Sequence, residues 1–205
     1  MNLQKLNIRK TIGFIVVSVV AVVGYVLFSE SDEMASSDKE GQSVVITDYR
    51  NASYTIEGKV VKLSDGYSES EVAPGSAAKI ITRYFGNERV TDLDGDGKDD
   101  DVAFIVTQET GGSGVFYYAV AALNTENGYV GTDGYLLGDR IAPQSTTVSP
   151  NPRHKNVVVF NYADREVGQS MTTQPSVGQS LYLKVDIDSM RWGIVEPDFE
   201  GESVL

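Results

Sequence analysis

The sequence contains no cysteine and a single histidine, His154. Without a thiol, the chain cannot form a disulfide, a thiolate nucleophile, a thiolate zinc site or a lipid-modified lipoprotein cysteine. The histidine count also excludes zinc sites that need several imidazole ligands. A Ser-His-Asp triad would have to use His154, but its neighbours Arg153 and Lys155 indicate an exposed loop residue.

The chain also lacks an excess of positive charge, since its formal net charge is −12 at pH 7. Nucleic-acid binding requires a basic face, so we expect no nucleic-acid partner. Phosphate-cradling loops are missing as well. Residues 111–114 read Gly-Gly-Ser-Gly, but strand-like runs flank them on both sides and no Gly-Lys-Ser/Thr follows. We therefore interpret residues 111–114 as the bend of a hairpin.

The longest apolar run lies near the N-terminus, where residues 12–28 are rich in Val and Ile. As a helix, this run is long enough to cross the roughly 30 Å hydrocarbon core of a bilayer. The flanking charges are Lys5, Arg9 and Lys10 before the run, and Glu30, Asp32 and Glu33 after it. The positive-inside rule then places the N-terminus in the cytoplasm and the rest across the membrane. A cleaved signal peptide is the alternative, although its apolar core is usually shorter, about 7–15 residues.

These features divide the chain into consecutive parts. We predict a cytoplasmic stub at 1–10, a transmembrane signal anchor at 11–29, a flexible acidic tether at 30–43, an extracytoplasmic β domain at 44–196 and an acidic tail at 197–205. The lipid bilayer is the first expected partner, through residues 11–29.

From residue 44 onward, short strand-like runs alternate with turn residues, a pattern typical of a mainly β domain. The expected strands are 44–46, 55–63, 102–108, 115–123, 135–137, 157–162, 181–188 and 192–195. The expected polar loops are 68–76, 145–156 and 164–178, whereas residues 77–85 fit a short helix or a strand. Alternation predicts that Leu181, Leu183, Val185 and Ile187 face the core. Without alternating helices a doubly wound parallel sheet is excluded, and we predict an antiparallel sandwich or an open barrel.

One stretch carries a specific chemical pattern, because residues 92–101 read Asp-Leu-Asp-Gly-Asp-Gly-Lys-Asp-Asp-Asp. Calcium takes six to eight oxygen ligands at about 2.3–2.6 Å, and alternating carboxylates on a sharply turning loop can supply them. The predicted ligands are Asp92, Asp94, Asp96 and Asp100 by their side chains and Lys98 by its backbone carbonyl. Gly97 lies where the turn needs a residue that is free to adopt positive φ.

The loop departs from an EF-hand, because Ala103 stands where the bidentate glutamate would be and an apolar run typical of a strand follows. In this form, residues 92–106 resemble the calcium loops of FG-GAP and EF-hand-like extracellular repeats. The resemblance implies calcium ligation by the five residues named above. A single loop does not support a β-propeller, which needs several repeats. The alternative is an acidic turn whose aspartates only hydrogen-bond the backbone.

The anchor, the tether, the Asp-rich loop and the Gly-Gly-Ser-Gly-x-Phe-Tyr-Tyr hairpin resemble a group of small bacterial membrane-anchored proteins, with the similarity in residues 80–187. The resemblance implies a bacterial, extracytoplasmic protein. We expect a calcium-stabilised binding module for an envelope protein or a glycan. The alternative is a carboxylate-dependent hydrolase of the envelope, for which Asp164 and Glu166 are the first candidates. A third hypothesis is that residues 164–178 are presented to a partner, because long ordered loops often carry binding.

Overall fold

The computed structural model describes residues 45–197, which belong to a compact unit that begins at Val44. Within that part of the chain, twelve strands and one short 3₁₀ helix occur, and there is no α-helix. The predicted mainly β, antiparallel fold is thus confirmed. The predicted stub, signal anchor and tether lie outside the described residues, as does most of the tail. Among the described residues, no helix is long and apolar enough to span a membrane.

The strands form three antiparallel sheets. In chain order they are β1 (Ser53–Ile56), β2 (Lys59–Lys62), β3 (Tyr67–Glu71), β4 (Lys79–Thr91), β5 (Asp101–Glu109), β6 (Phe116–Thr125), β7 (Gly128–Gly131), β8 (Tyr135–Asp139), β9 (Ala142–Val148), β10 (Val157–Asp164), β11 (Val177–Asp186) and β12 (Arg191–Ile194). The largest sheet has the order β3-β4-β5-β6-β7, with β8 also paired to β6, and a second sheet has the order β12-β11-β10-β9. Strands β1 and β2 form a separate hairpin.

The centre of the largest sheet is the predicted hairpin of β5 and β6. Its register pairs Phe104 with Val120, and residues 111–114 lie in the connection, as expected. Every residue of β5 from Asp101 to Gln108 is buried. The unbroken apolar sequence of this strand follows from its position, because a strand that is covered on both faces has no polar side to alternate with.

The two faces of β5 and β6 pack against different layers. On one face, Ala103 and Ile105 join a core with Phe160 of β10 and Leu183 of β11. On the other face, Phe104 packs against Tyr54 and the rest of the β1–β2 hairpin. The two larger antiparallel sheets therefore share one core, and the β1–β2 hairpin packs on the other face of the largest sheet.

Residues 55–63 were predicted as one strand, and this prediction is wrong. The chain reverses at Glu57 and Gly58, which have φ values of 51° and 73°. Two successive residues with positive φ form the tight turn that joins paired strands, and Gly58 adopts this conformation without a steric penalty. Thr55 and Val60 consequently face each other across a hairpin.

Two predicted loops are partly strands. Residues 68–71 belong to β3 and residues 145–148 belong to β9, and each of these strands lies at a sheet edge. Most of their side chains are exposed or half-buried, so the sequence shows no apolar alternation. The ambiguous segment 77–85 is mainly strand, within β4. Ile187 does not face the core, because β11 ends at Asp186 and the Ile187 side chain is 49% exposed.

Candidate metal centre

The Asp-rich loop connects β4 to β5, the two long neighbouring strands of the largest sheet. Thr91 closes β4 and Asp101 opens β5, and these two residues are partners in the ladder. Just after Thr91, Leu93 is only 1% exposed and belongs to the core, which holds the beginning of the loop against the domain. Gly95 and Gly97 both have positive φ, as the predicted turn requires.

Carboxylates inside the loop accept hydrogen bonds from the loop's own backbone. The Asp92 Oδ1 atom accepts from the Gly95 N–H at 2.6 Å, and Oδ2 accepts from the Gly97 N–H at 3.1 Å. The Asp94 Oδ1 atom accepts from the Asp96 N–H at 2.9 Å. These bonds curl the chain tightly around the first carboxylates.

Asp101 contributes a buried carboxylate to the same place. Its side chain is fully buried, and Oδ2 accepts from the N–H groups of Leu93 at 2.9 Å and Asp94 at 3.1 Å. Its other oxygen accepts from the Asn124 N–H at 2.8 Å. Burial raises the pKa of Asp101, and the N–H donors of Asn124 and Leu93 act in the opposite direction. Asp101 therefore ties the loop to the end of β6.

Three carboxylates converge at this point. One oxygen each from Asp92, Asp94 and Asp101 lies within 4.8 Å of the others. Two ligands of a single calcium ion, each at about 2.3–2.6 Å, can be at most about 5.2 Å apart. The three oxygens therefore fit a shared divalent cation, and they are hard ligands of the kind that calcium prefers.

The predicted ligands are only partly brought together. Asp92 and Asp94 belong to the cluster, whereas the Asp96 carboxylate forms an ion pair with the Lys98 ammonium group, which lowers the pKa of Asp96. The Asp100 carboxylate accepts from the Asn124 side-chain amide at 3.1 Å. Ligation by Asp96, Asp100 and the Lys98 carbonyl stays a prediction.

Sequence reasoning did not include Asp101 among the ligands. Three aspartates in a row, 99–101, differ in the sequence only by their distance from the apolar run of β5. The available signal was that Asp101 directly precedes this run. The first residue of a strand that is buried on both faces turns its side chain toward the interior more readily than a loop residue does.

An open cavity of about 490 Å³ adjoins the cluster. It is lined by Leu93, Asp94, Asn156, residues 184–187 and residues 193–195. Asp94 thus belongs to both the carboxylate cluster and the cavity wall. Ile187 and Ile194 are 49% and 57% exposed, which shows that the cavity opens to solvent.

The remaining candidates from the sequence lie elsewhere. His154 is half-buried rather than exposed, and its Nδ1 atom lies 2.9 Å from the Ser149 Oγ atom while its ring meets Tyr182 edge-on. These partners include no carboxylate, so a Ser-His-Asp triad is not formed around this ring within the described part of the chain. The contacts instead hold the turn between β9 and β10.

Asp164 and Glu166 do not act together. The Asp164 carboxylate accepts from the Arg165 N–H at 2.7 Å, and Glu166 accepts from the Gln169 side-chain amide at 3.4 Å. Each acid thus serves its own local turn, and neither lines the cavity beside the carboxylate cluster.

Comparison of the chain with known protein families, with curated proteins and with solved structures found no match. The interpretation of the carboxylate cluster therefore depends on its own geometry and on the chemistry of its oxygens.

Proposed function

We propose that the chain is a single-pass membrane protein whose β domain, residues 44–196, lies outside the cytoplasmic membrane and is a calcium-stabilised binding module of the cell envelope. The observation that carries this proposal is the convergence of Asp92, Asp94 and Asp101 within 4.8 Å. The anchor is inferred from the apolar run at 12–28 and from the charges that flank it.

The metal would act structurally. Asp92 and Asp94 lie in the connection and Asp101 begins β5, so one ion held by all three would fix how β4 joins β5. A chain without cysteine has no disulfide to do this. Calcium sites of extracellular modules bind with dissociation constants of about 10⁻⁴–10⁻³ M, which suits a site that stabilises the fold without switching it.

Binding is better supported than hydrolysis. A carboxylate-dependent hydrolase needs two acids that face one substrate in a pocket. Asp164 and Glu166 serve separate turns, as described above. The cavity contains Asp94 and Asp186, but Asp94 belongs to the proposed calcium site and the cavity is open to solvent. Such an open surface suits the binding of an envelope partner.

A calcium titration followed by thermal unfolding of the purified full-length chain tests the metal. At calcium concentrations of about 100 times the dissociation constant, we expect stabilisation by about 2.7 kcal/mol, reversed by a chelator. Magnesium is the matched control, and its smaller effect is expected because it demands octahedral geometry and retains its waters. A melting curve that about 10–100 mM calcium, which is 100 times the expected dissociation constants, and chelator both leave unchanged would contradict the proposal.

Protease treatment of intact bacterial cells or spheroplasts tests the anchor. We expect the β domain to be digested from outside while a short N-terminal fragment stays with the membrane through alkaline extraction. Release of the intact chain by alkali would show that residues 11–29 do not anchor it.

A further inference from the structure

The cavity beside the Asp-rich loop has a buried apolar base and an apolar mouth that is accessible to solvent. Leu93 and Val185 are buried core residues that also line it, and Ile187 and Ile194 expose 49% and 57% of their surface. Branched aliphatic side chains gain free energy when they are removed from water, so this groove favours an apolar occupant. None of the described residues that line it is aromatic.

A free strand edge runs beside the groove. Strand β12 is the first strand of its sheet and pairs only with β11 in the described part of the chain. The Val195 N–H donates to the Tyr182 carbonyl, and Ile194 pairs with Leu183 in the register. Hydrogen-bonded and non-hydrogen-bonded pairs alternate along an antiparallel ladder, so Ile194 directs its N–H and C=O away from β11. An added strand could use these groups.

The rim of the groove is acidic. Asp94 and Asp186 line it together with one base, Lys184. Hydrogen bonds from the Ser189 hydroxyl and the Asp188 N–H hold the Asp186 carboxylate in place. Lys98, the only base of the Asp-rich loop, is already paired with Asp96. When calcium occupies the cluster, Asp94 is neutralised and Asp186 remains as the acid of the rim. The net charge of −12 still favours basic groups of a partner over acidic ones.

We propose that this groove binds an extended peptide segment of a partner protein, with an apolar side chain seated between Ile187 and Ile194 and a neighbouring Lys or Arg at the acidic rim. The inference rests on the proposed binding function and specifies its class of partner. The backbone of the segment adds to the edge of β12, which supplies affinity, while the groove selects the side chains. A glycan fits less well, because the walls formed by the described residues are aliphatic and offer no aromatic platform for stacking.

An NMR titration of the full-length chain, labelled at isoleucine methyl groups, tests this assignment. The probe is the capped pentapeptide Lys-Val-Ile-Val-Lys, and the matched peptides are Glu-Val-Ile-Val-Glu and Lys-Ser-Thr-Ser-Lys. We expect saturable shifts of the Ile187 and Ile194 methyl signals with the first peptide. The acidic peptide should bind at least about tenfold more weakly, and the polar peptide should cause no saturable shift.

Variants identify the surface. Ile194→Asp should abolish binding, and Ile187→Asp is a second, independent test, since both side chains are already exposed and tolerate a polar substitution. Asp186→Asn should weaken binding of the basic peptide and reduce its salt dependence. Val167→Asp is the control, because Val167 is fully exposed at another site and should leave binding unchanged.

Three results would overturn the inference: equal affinity for the basic and acidic peptides, binding that survives both isoleucine variants, or no binding of any peptide. A neutral oligosaccharide that shifts the same methyl signals when the peptides do not would overturn it too. Calcium-induced stabilisation, measured in the same samples, separates the two proposals. If calcium stabilises the chain while no peptide binds, the groove assignment fails and the calcium site stands.

Discussion

The domain has two long polar connections that are held in opposite ways, residues 92–100 between β4 and β5 and residues 165–176 between β10 and β11. In the first, carboxylates collect backbone N–H groups. In the second, the Arg165 guanidinium donates to backbone carbonyls, at 2.6 Å to Thr173 and 3.0 Å to Arg140. One loop is thus organised by anions and the other by a cation.

The difference bears on whether each loop needs an ion. Carboxylates that accept N–H hydrogen bonds still have free lone pairs, and their negative charges lie close together. They could therefore bind a cation without breaking the hydrogen bonds that shape the loop. The arginine clamp of the second loop is already a cation, and it ends on neutral carbonyls. Of these two loops of similar polarity, only the first brings together carboxylates that could hold a metal ion.

The largest expected effect comes from removing the buried anion of the first loop. Asp101→Ala leaves the N–H groups of Leu93, Asp94 and Asn124 without their acceptor. Each unsatisfied buried donor costs about 1–3 kcal/mol. This loss outweighs the relief from burying one fewer charge, and we expect destabilisation by about 3 kcal/mol in urea unfolding.

Asp99→Ala is the matched control for that substitution. Asp99 is exposed and accepts a single bond, from the Asp92 N–H at 3.0 Å. We expect a change of about 0.5 kcal/mol, the usual scale for surface substitutions. Equal losses for the two variants would mean that Asp101 is not the centre of the loop.

The next prediction separates the three-carboxylate cluster from the wider set predicted from the sequence. Asp94→Asn should remove most of the calcium-dependent stabilisation, about 2.7 kcal/mol at 100 times the original dissociation constant. Asp96→Asn should leave most of it, because Asp96 is paired with Lys98 rather than with the cluster. Thermal unfolding with and without calcium measures both.

An Asp96 variant that loses calcium stabilisation as fully as the Asp94 variant would favour the ligand set predicted from the sequence. Asp96 would then have to leave Lys98 and turn inward when the ion binds. If neither variant affects the response to calcium, the stabilising ion lies elsewhere in the chain.

For the second loop, Arg165→Ala should cost about 1–2 kcal/mol, because several part-exposed hydrogen bonds are lost. Its main consequence should be local, since this side chain ties Thr173 to the start of β9 through Arg140. We expect limited proteolysis to cut this variant within residues 165–176 and to leave the same segment of the original chain intact. Calcium should not restore the resistance, because the proposed calcium site lies in the other connection.

Arg165→Lys is the matched control, because it keeps the charge but cannot reach two carbonyls with a planar fork. Partial resistance to protease is expected for it. If the loop resists cleavage in the alanine variant as well, contacts other than Arg165 hold it.

The sequence predicted those strands and turns whose signals lie in neighbouring residues. The apolar run of β5 and its glycine-rich bend gave the central hairpin correctly, since these features act over neighbouring residues. The β1–β2 turn was missed because Thr55 and Val60 continue the same β-like composition, with Gly58 as the main mark of the reversal. Edge strand β3 was missed because its polar side chains face solvent.

The candidate site shows the same limit. The spacing of Asp92 and Asp94 correctly predicted that their carboxylates lie close together, because both residues belong to one turn of the chain. The position of Asp101 depends on Asn124, which is distant in sequence and is brought near only by the pairing of β5 with β6. The hydrogen bond from Arg165 to the Arg140 carbonyl likewise joins residues distant in sequence, which the pairing of β9 with β10 brings together. Neither contact can be predicted from the spacing of residues in the sequence.

The smallest expected effect is a difference in acid response between the two connections. Burial alone would raise the pKa of Asp139, beside the Arg165 clamp, but hydrogen bonds from the Arg140 guanidinium and the Val115 N–H lower it below its usual value. A carboxylate with a lowered pKa stabilises the fold above its unfolded pKa of about 3.9, and this stabilisation is lost as the pH falls through the folded value. Asp101, with its raised pKa and no such guanidinium partner, shifts in the opposite direction.

Asp139→Asn should therefore lower stability by less than about 1 kcal/mol at pH 6, as expected for an ion pair near the surface. The difference between the variant and the original chain should shrink as the pH falls below about 4, since protonation of Asp139 then removes the same interaction. Urea unfolding at several pH values measures this, with Asp188→Asn, at an exposed turn, as the control. A difference that stays constant down to pH 2 would show that the charge of Asp139 contributes nothing and that only the shape of its side chain matters at the base of the second loop.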